Sequence, residues 1–341
     1  MLKNIILTTG DPGKNIGGGK AKEDISRIFS DMGYISKNVP IYTSKVRKYL
    51  YIHTKMRKDI DLTNINRVVF QYPTSSVRMT REIINYISNS NAELVLFIHD
   101  ISSLQEDGNT ISEYEIGLLN LADKIIVHND VMKKILEKNN ISSKILVLGI
   151  FDYLTDFSPK SKEYDKTVCF AGNLFKSTFL QKLTLEKHKI DVYGPNKLDN
   201  YPECIDYKGQ FSPEELPSHL NQSFGLIWDG DSIETCEGHY GEYMKFNNPH
   251  KTSLYITTGL PILIWREAAM AQFIVKNKLG VAIDSLVDLD ETLDSITDDE
   301  YKIMRENVLK LSKDLKNGKY TKKILEELDE IYDELLKMIE D

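Results

Sequence analysis

Short apolar runs alternate with amphipathic segments through most of this 341-residue chain. This alternation is the pattern of a parallel sheet flanked by helices. In the first half, apolar runs predict five strands, at residues 3–8, 67–71, 93–99, 124–127 and 144–148. Apolar positions at helical spacing predict helices between them, at residues 20–32, 77–88, 111–121 and 129–138. Five strands with their crossovers make one complete α/β domain.

A polar stretch at residues 158–166 interrupts this pattern before a second series of strands begins. These strands are predicted at residues 167–171, 189–193, 205–208, 225–228, 261–265 and 280–283. We therefore place one α/β domain at residues 1–156, a second at 157–316, and a C-terminal helical segment at 317–341. Apolar positions from Ile324 to Ile339 recur at helical spacing, and this segment could pack on either domain or on another subunit.

The composition is that of a soluble globular protein, with 41% hydrophobic and 28% charged residues. A net charge of −8 argues against a nucleic-acid binder, because a polyanion partner needs a basic face. We expect no transmembrane segment and no secretory signal, since no apolar run approaches the roughly 20 residues that span a bilayer. The three cysteines have no CxxC spacing and fit reduced thiols in the cytoplasm. The histidines show no metal-binding spacing, so we expect no metal.

Two α/β domains joined by one linker place a ligand cleft at the carboxyl ends of their strands. The first loop at this edge, residues 10–21, is rich in glycine but matches neither GxxxxGK[ST] nor GxGxxG. We interpret it as a loop that closes over a ligand or admits an acceptor.

Residues 247–255, followed by the Gly-Leu-Pro turn at 259–261, form the most informative segment. We expect Asn248 to cap a short helix and Pro249 to occupy its first position. Residues 250–253 would then present free N–H groups, together with the ammonium of Lys251 and the hydroxyls of Thr252 and Ser253. This arrangement could bind a phosphate without a metal. An ordinary capped helix explains the segment alone equally well.

Other polar residues follow predicted strands. Asp100 could deprotonate a hydroxyl nucleophile or simply cap the following turn. Lys176 follows the glycine turn at 172 and could reach a diphosphate. Glycines also end the strands near residues 193 and 208, where the loops could surround a base and ribose or be ordinary turns. Asp229 and Asp231 could suggest a metal site, but we prefer sugar-hydroxyl contacts or capping.

Several strings together resemble a bacterial glycosyltransferase family. They lie at residues 18–24, 71–73, 98–100, 170–174, 225–232, 240–251, 253–255 and 259–261. The family contains beta-1,6-galactofuranosyltransferases and the glucosyltransferase that extends GlcNAc on serine-rich-repeat adhesins. The resemblance covers nearly the whole chain, and its most specific part is Asn-Pro-His-Lys with the following Gly-Leu-Pro.

The resemblance implies a GT-B fold, in which two Rossmann-like domains face a central cleft. It also implies a UDP-sugar co-substrate held mainly by the C-terminal domain, no metal or other cofactor, and a cytoplasmic homo-oligomer, either dimer or tetramer. Asp100 is then the candidate base. The donor contacts carried over by position are Gly19, Lys20, Lys176, Tyr207, Gln210, Asn248, Pro249, His250, Lys251, Thr252 and Ser253.

The expected reaction moves a hexose from a UDP-sugar to a sugar acceptor, with glucose, GlcNAc and galactofuranose as the candidate sugars. The acceptor would be GlcNAc on a serine-rich-repeat adhesin or a polysaccharide intermediate. Two alternatives stay open: a UDP-sugar epimerase, and a non-catalytic partner that keeps the fold and binds the acceptor. The sequence leaves open whether the linkage inverts or retains.

Overall fold

The structure is a computed structural model that describes residues 3–10, 17–107 and 110–340. Within these ranges it describes all side chains except those of residues 17, 18, 107 and 331–340. Residues 11–16 of the predicted glycine loop lie outside the described part.

The first half of the described chain forms a parallel sheet with helices on both faces. Its strands run in the order β2-β1-β3-β4-β5-β6, with bounds β1 Lys3–Thr9, β2 Ile35–Val39, β3 Ile65–Tyr72, β4 Glu93–Ile98, β5 Lys124–Val127 and β6 Lys144–Val147. Its helices are α1 Gly17–Asp31, α2 Lys45–Thr54, α3 Met56–Asp59, α4 Val77–Ser88, α5 Ser102–Asp107, α6 Glu113–Leu119 and α7 Asp130–Lys138.

The prediction of five strands here was wrong, because it missed β2. This strand lies at the edge of the sheet, and among its five residues only Val39 is fully buried. An edge strand with one covered position has no apolar run to reveal it.

The second half forms another parallel sheet, in the order β12-β11-β10-β7-β8-β9. Its strands are β7 Val168–Ala171, β8 Ile190–Tyr193, β9 Ile205–Gly209, β10 Phe224–Ile227, β11 Ile262–Trp265 and β12 Gly280–Ile283. Short 3₁₀ turns follow β7 at Leu174–Lys176 and Thr178–Lys182. The helices are α8 Leu216–His219, α9 Gly238–Tyr243, α10 His250–Thr257, α11 Ala271–Lys276, α12 Leu289–Ser295, α13 Asp298–Lys316 and α14 Lys319–Glu340.

Each sheet contains a point where the chain reverses its direction of winding, between β1 and β3 in the first and between β7 and β10 in the second. In open α/β sheets such points create a crevice at the carboxyl ends of the strands, where ligands bind.

The C-terminal helix α14 returns to the first sheet. Ile324, Leu325 and Leu328 are buried in a cluster with side chains from β1, β3, β4 and α1. The buried guanidinium of Arg67 on β3 donates to the Leu328 carbonyl oxygen at 3.0 Å and pairs with Asp329 at 2.6 Å. The first part of this segment therefore packs on the N-terminal half of its own chain.

Candidate functional site

Helix α10 begins one residue later than we expected. Its N-cap is Pro249, with φ −60° and ψ 127°, and no side chain caps it. The Thr252 N–H donates to the Pro249 carbonyl oxygen at 2.9 Å, so the expectation of free N–H groups throughout residues 250–253 was wrong. Proline cannot cap through its side chain, and the turn it opens already uses one of the donors.

Asn248 joins the two halves of the molecule. Its side-chain Nδ2 donates to the carbonyl oxygens of His128 and Gly149, at 2.9 and 2.8 Å. Its Oδ1 accepts from Asn129 Nδ2 at 2.7 Å, and its backbone N–H donates to His128 Nδ1 at 3.0 Å. These partners follow β5 and β6, so Asn248 fixes the start of α10 against the first domain.

The linker between the domains forms one side of this region. Ser253 Oγ donates to the Phe151 carbonyl oxygen at 2.6 Å. The ring of His250 lies 5.2 Å from that of Tyr153 and 5.9 Å from that of Phe151, centroid to centroid. His250 Nε2 and Thr252 Oγ1 are buried atoms with no hydrogen-bond partner among the described residues. Both atoms keep an unused capacity for a hydrogen bond.

Lys20 approaches the same region from the first turn of α1. Its Nζ donates to the Leu154 carbonyl oxygen at 2.8 Å, pairs with Asp24, and lies 5.0 Å from the ring centroid of Tyr153. Burial and the charge of Lys20 lower the pKa of His250 to about 4. Lys20 and Asp24 also line a cavity of about 720 Å³ beside the linker.

Among the described residues, a Cβ added to Gly19 would meet no atom outside its own helix within 4 Å.

Lys251 lies at the carboxyl ends of β7 and β10. Its Nζ pairs with Asp229 Oδ1 at 3.0 Å, donates to the Trp228 carbonyl oxygen at 3.1 Å, and lies 4.5 Å from the ring centroid of Phe170. An anionic ligand would compete with Asp229 for this ammonium group.

Lys176, after β7, lies with its Nζ 4.1 Å from the ring centroid of Tyr240. A Cβ added to Gly241, next to that tyrosine, would come within 3.0 Å of the Asp229 carbonyl oxygen. The loop from 229 to 241 is thus folded tightly on itself, and both lysines contact it. Among the described residues, no three His, Cys, Asp or Glu side chains gather closely enough to hold a metal ion.

The glycine turns after β7, β8 and β9 lie together. The Gly194 N–H donates to the Gly209 carbonyl oxygen at 2.9 Å, and a Cβ on Gly194 would lie 1.8 Å from the Gly172 carbonyl oxygen. Tyr207 donates its hydroxyl to the Gly194 carbonyl oxygen at 3.1 Å, whereas Gln210 is exposed. The Tyr207 side chain therefore braces this edge of the sheet.

Asp100 follows β4 and meets the second domain there. Its carboxylate hydrogen-bonds with the hydroxyl of Tyr243 on α9, and that hydroxyl also accepts the Ile101 N–H at 3.0 Å. Burial, with a smaller contribution from Asp100, raises the pKa of Tyr243. A side chain of the second domain thus holds the loop that carries the candidate base.

His99, directly before Asp100 in the chain, is a further candidate site residue that sequence reasoning did not select. Gln71 Nε2 donates to Ser26 Oγ at 2.8 Å, so its Oε1 accepts from His99 Nε2, also at 2.8 Å. If the His99 ring is neutral, its Nδ1 atom carries no proton and can accept a hydrogen bond. Burial, reinforced by Lys22, lowers the pKa of His99. Gln71 lies at the carboxyl end of β3 and His99 directly follows the neighbouring β4, and these positions are the signal in the sequence that could have paired them.

Two parallel α/β domains, each with a switch point at the carboxyl ends of its strands, form the GT-B fold, as predicted. Sucrose-phosphate synthase from Thermosynechococcus elongatus has this fold: its TM-score is 0.68 at 10% identity, with 99% of this chain and 100% of that chain covered.

The glucosyltransferase 3-like family matches in both domains, its N-terminal domain at residues 3–150 and its C-terminal domain at residues 168–328. Beta-1,6-galactofuranosyltransferase WbbI of Escherichia coli K12 is 35% identical over 318 residues, which are 91% of this chain and 94% of that protein. Glucosyltransferase 3 of Streptococcus gordonii is 28% identical over 313 residues, 89% of this chain and 92% of that protein.

The chain belongs to the glucosyltransferase 3-like family. The resemblance inferred from the sequence is confirmed, and the chain is a glycosyltransferase. Membership in this family favours glycosyl transfer over the two alternatives, a UDP-sugar epimerase and a non-catalytic partner. In the described parts of the chain, no helix combines the length and apolar character needed to cross a membrane.

Proposed function

We propose that the protein transfers a hexose from a UDP-sugar to a sugar acceptor. The observation that carries this proposal is the position of Lys251 at the switch point of the second sheet, beside a helix start with two unpartnered buried polar atoms. The named relatives act with different sugars, galactofuranose and glucose, and they support a hexose without choosing one.

In this proposal the donor diphosphate lies between the start of α10 and the loop from 229 to 241. Lys251 and Lys176 would stabilise the negative charge that grows on the departing UDP, together with the dipole of α10. Lys20 would approach from the first domain. No metal is needed, because cationic side chains and backbone N–H groups supply the positive field. The remaining donor contacts that we propose are Gly19, Tyr207, Gln210, Asn248, Pro249, His250, Thr252 and Ser253.

Asp100 is our proposed base for the acceptor hydroxyl. It lies at the carboxyl end of β4, on the first-domain side of the cleft, and Tyr243 holds it in place. The acceptor would be GlcNAc on a glycoprotein such as a serine-rich-repeat adhesin, or a polysaccharide intermediate. We further propose that the protein works in the cytoplasm as a homo-oligomer, either dimer or tetramer.

The test is the affinity for UDP of a Lys251→Ala variant, measured by calorimetry. We expect binding at least about tenfold weaker and transfer abolished, since one charged contact to a diphosphate is lost. Lys187→Ala is the matched control, because Lys187 is an exposed lysine of the same domain that also pairs with an aspartate, Asp294 at 2.8 Å.

Removing Lys251 alone leaves Asp229 without its partner, which could itself repel UDP. The double variant Lys251→Ala/Asp229→Ala separates the two effects. UDP affinity equal to the parent's in the double variant would refute the diphosphate role, because any loss in Lys251→Ala would then come from the unpaired charge of Asp229. A thermal-shift screen of UDP-sugars, followed by transfer to a GlcNAc-peptide, would then identify the donated sugar and the acceptor.

A further inference from the structure

We propose that the exposed side of α2, with the start of α4, is a docking surface for an anionic lipid bilayer. We call this surface the α2 face. Its apolar members are Val46, Tyr49, Leu50 and Val77, and its basic members are Lys45, Arg47, Lys48 and Arg78. The proposal does not depend on the donor site, since binding to vesicles requires no substrate.

Helix α2 has apolar residues on two sides. Tyr51 and Ile52 are buried against the first domain. Val46, Tyr49 and Leu50, at i, i+3 and i+4, form a second stripe whose side chains are 67%, 51% and 53% exposed. Tyr51 and Ile52 thus attach the helix to the domain, whereas more than half of each side chain in the second stripe stays exposed.

The stripe continues onto the start of α4. The guanidinium of Arg78 lies 5.0 Å from the ring centroid of Tyr49 and 3.4 Å from His53 Nε2. Val77, beside it, is 65% exposed. Apolar side chains from two helices therefore form one surface, with a guanidinium between them.

The charge around this stripe is opposite to that of the whole chain. Residues 32–58 contain seven Lys and Arg and no Asp or Glu, whereas the net charge of the protein is −8. The basic residues of α2 itself are Lys45, Arg47 and Lys48, which alternate with the apolar ones. Apolar side chains surrounded by lysine and arginine characterise helices that lie in a lipid headgroup region, where the charges bind anionic lipids.

A second copy of the chain fits this surface less well. An isologous contact would bring the two basic surfaces against each other, and like charges across an interface oppose association. A lipid surface supplies the missing negative charge and an apolar layer for Val46 and Leu50.

The α2 face lies at the edge of the first sheet where acceptors are expected. α2 follows β2 and α4 follows β3, at the same carboxyl edge as Asp100 after β4. A chain docked in this way would hold the acceptor side of its cleft close to the lipid headgroups.

The test is flotation of the full-length protein with vesicles. We expect the parent protein to float with mixed phosphatidylglycerol and phosphatidylcholine vesicles, to stay behind with pure phosphatidylcholine, and to be released by salt. Val46→Asp/Leu50→Asp should lower the bound fraction about tenfold or more, and Lys45→Glu/Arg47→Glu/Lys48→Glu should do the same.

Val287→Asp is the matched control, because Val287 is 53% exposed on the second domain and its change should leave flotation unaltered. Thermal unfolding verifies that the variants fold. A parent protein that ignores anionic vesicles, or a Val46→Asp/Leu50→Asp variant that floats like the parent, overturns the proposal. Light scattering that shows a smaller assembly for this variant also overturns it, by assigning the stripe to a second copy.

Discussion

Asn248 fixes the geometry of the site through four hydrogen bonds to the first domain. Its amide satisfies polar groups at the ends of β5 and β6, and it does so next to the helix that carries Lys251. At the residue scale, a donor contact and a structural contact make different predictions, because the first changes affinity and the second changes stability.

Asn248→Ala should lower the free energy of unfolding by about 3 kcal/mol, because it leaves buried carbonyl and amide groups without partners. Urea unfolding followed by circular dichroism measures this loss. Asn277→Ala is the control, since Asn277 is exposed and its side-chain amide donates to the Phe273 carbonyl oxygen of its own turn. Unchanged stability with weakened UDP binding would instead make Asn248 a direct donor contact.

Buried histidines make stability depend on pH. Burial lowers the pKa of His128 to about 4, and burial with the charge of Lys20 does the same for His250. An unfolded histidine titrates near pH 6.5, so between about pH 6.5 and 4 the unfolded chain binds protons that the folded chain does not. The free energy of unfolding should therefore fall as the pH decreases through this range, by roughly 3 kcal/mol per histidine.

Asp152 acts in the opposite direction. Burial raises its pKa to about 6, so its contribution to stability falls as the pH rises from about 4 to 6. Burial also lowers the pKa of His99 and raises that of Asp24, so three histidines oppose two carboxyl groups. We therefore expect a net loss of stability on the acid side. Urea unfolding at pH 4.5 and 7 measures it, and His128→Asn should reduce the difference. His239→Asn, at an exposed position, should leave the difference as it is. A parent protein equally stable at both pH values would contradict the prediction.

At the scale of elements, α14 acts as part of the first domain although it ends the chain. Its residues Ile324, Leu325 and Leu328 complete a core that begins with Ile6 on β1. Truncating the chain before this helix would remove core side chains, and such a truncation cannot test oligomerisation by itself. A chain that ends at residue 330 keeps Ile324, Leu325 and Leu328 and is the better variant for light scattering.

Leu328→Ala should lower the free energy of unfolding by about 2–4 kcal/mol, because it opens a cavity in a fully buried site. Ile303→Ala on α13 is the control, since Ile303 is 47% exposed and its loss should cost well under 1 kcal/mol. Equal stability of the two variants, measured by urea unfolding, would show that α14 does not pack on the first sheet in solution.

The elements also show what the sequence can and cannot predict. Strands such as β4 and β11, buried on both faces, appear as apolar runs and were predicted within a residue or two. Strand β2 could not be predicted in this way, because it is held by pairing with β1 rather than by burial of its own side chains.

The same distinction applies to the site. The rule that ligands bind at carboxyl ends of strands indicated Lys176 and Asp100, and the predicted helix start at residues 250–253 indicated Lys251. The contacts of these residues depend on long-range packing, such as the 22-residue separation between Lys251 and Asp229, and no local pattern encodes them.

At the scale of the whole molecule, the two domains are joined by more than their linker. After β10, the chain of the second domain crosses to the first, where Tyr243 and Phe246 pack in the core of the first domain. The same tyrosine holds the loop of Asp100. The acceptor side of the cleft is thus positioned by a segment that leads directly into the proposed donor site at α10.

Tyr243→Phe should therefore reduce kcat for transfer by about tenfold, through loss of the hydroxyl that positions Asp100, and leave the Kd for UDP unchanged. Steady-state kinetics with calorimetry separates the two quantities. Tyr164→Phe is the matched control, because its hydroxyl donates to the Leu293 carbonyl oxygen at 2.6 Å, away from the cleft.

A purely structural role for Tyr243 would reduce stability and leave kcat of the folded fraction intact. A positioning role predicts more: Asp100→Asn should lose most activity, and adding Tyr243→Phe to it should cost little further, because both changes act on the same carboxylate. If the two changes instead lower kcat independently, so that their fold-losses multiply in the double variant, Tyr243 does not act through Asp100. The contact between Tyr243 and the Asp100 loop would then not control the acceptor side of the cleft.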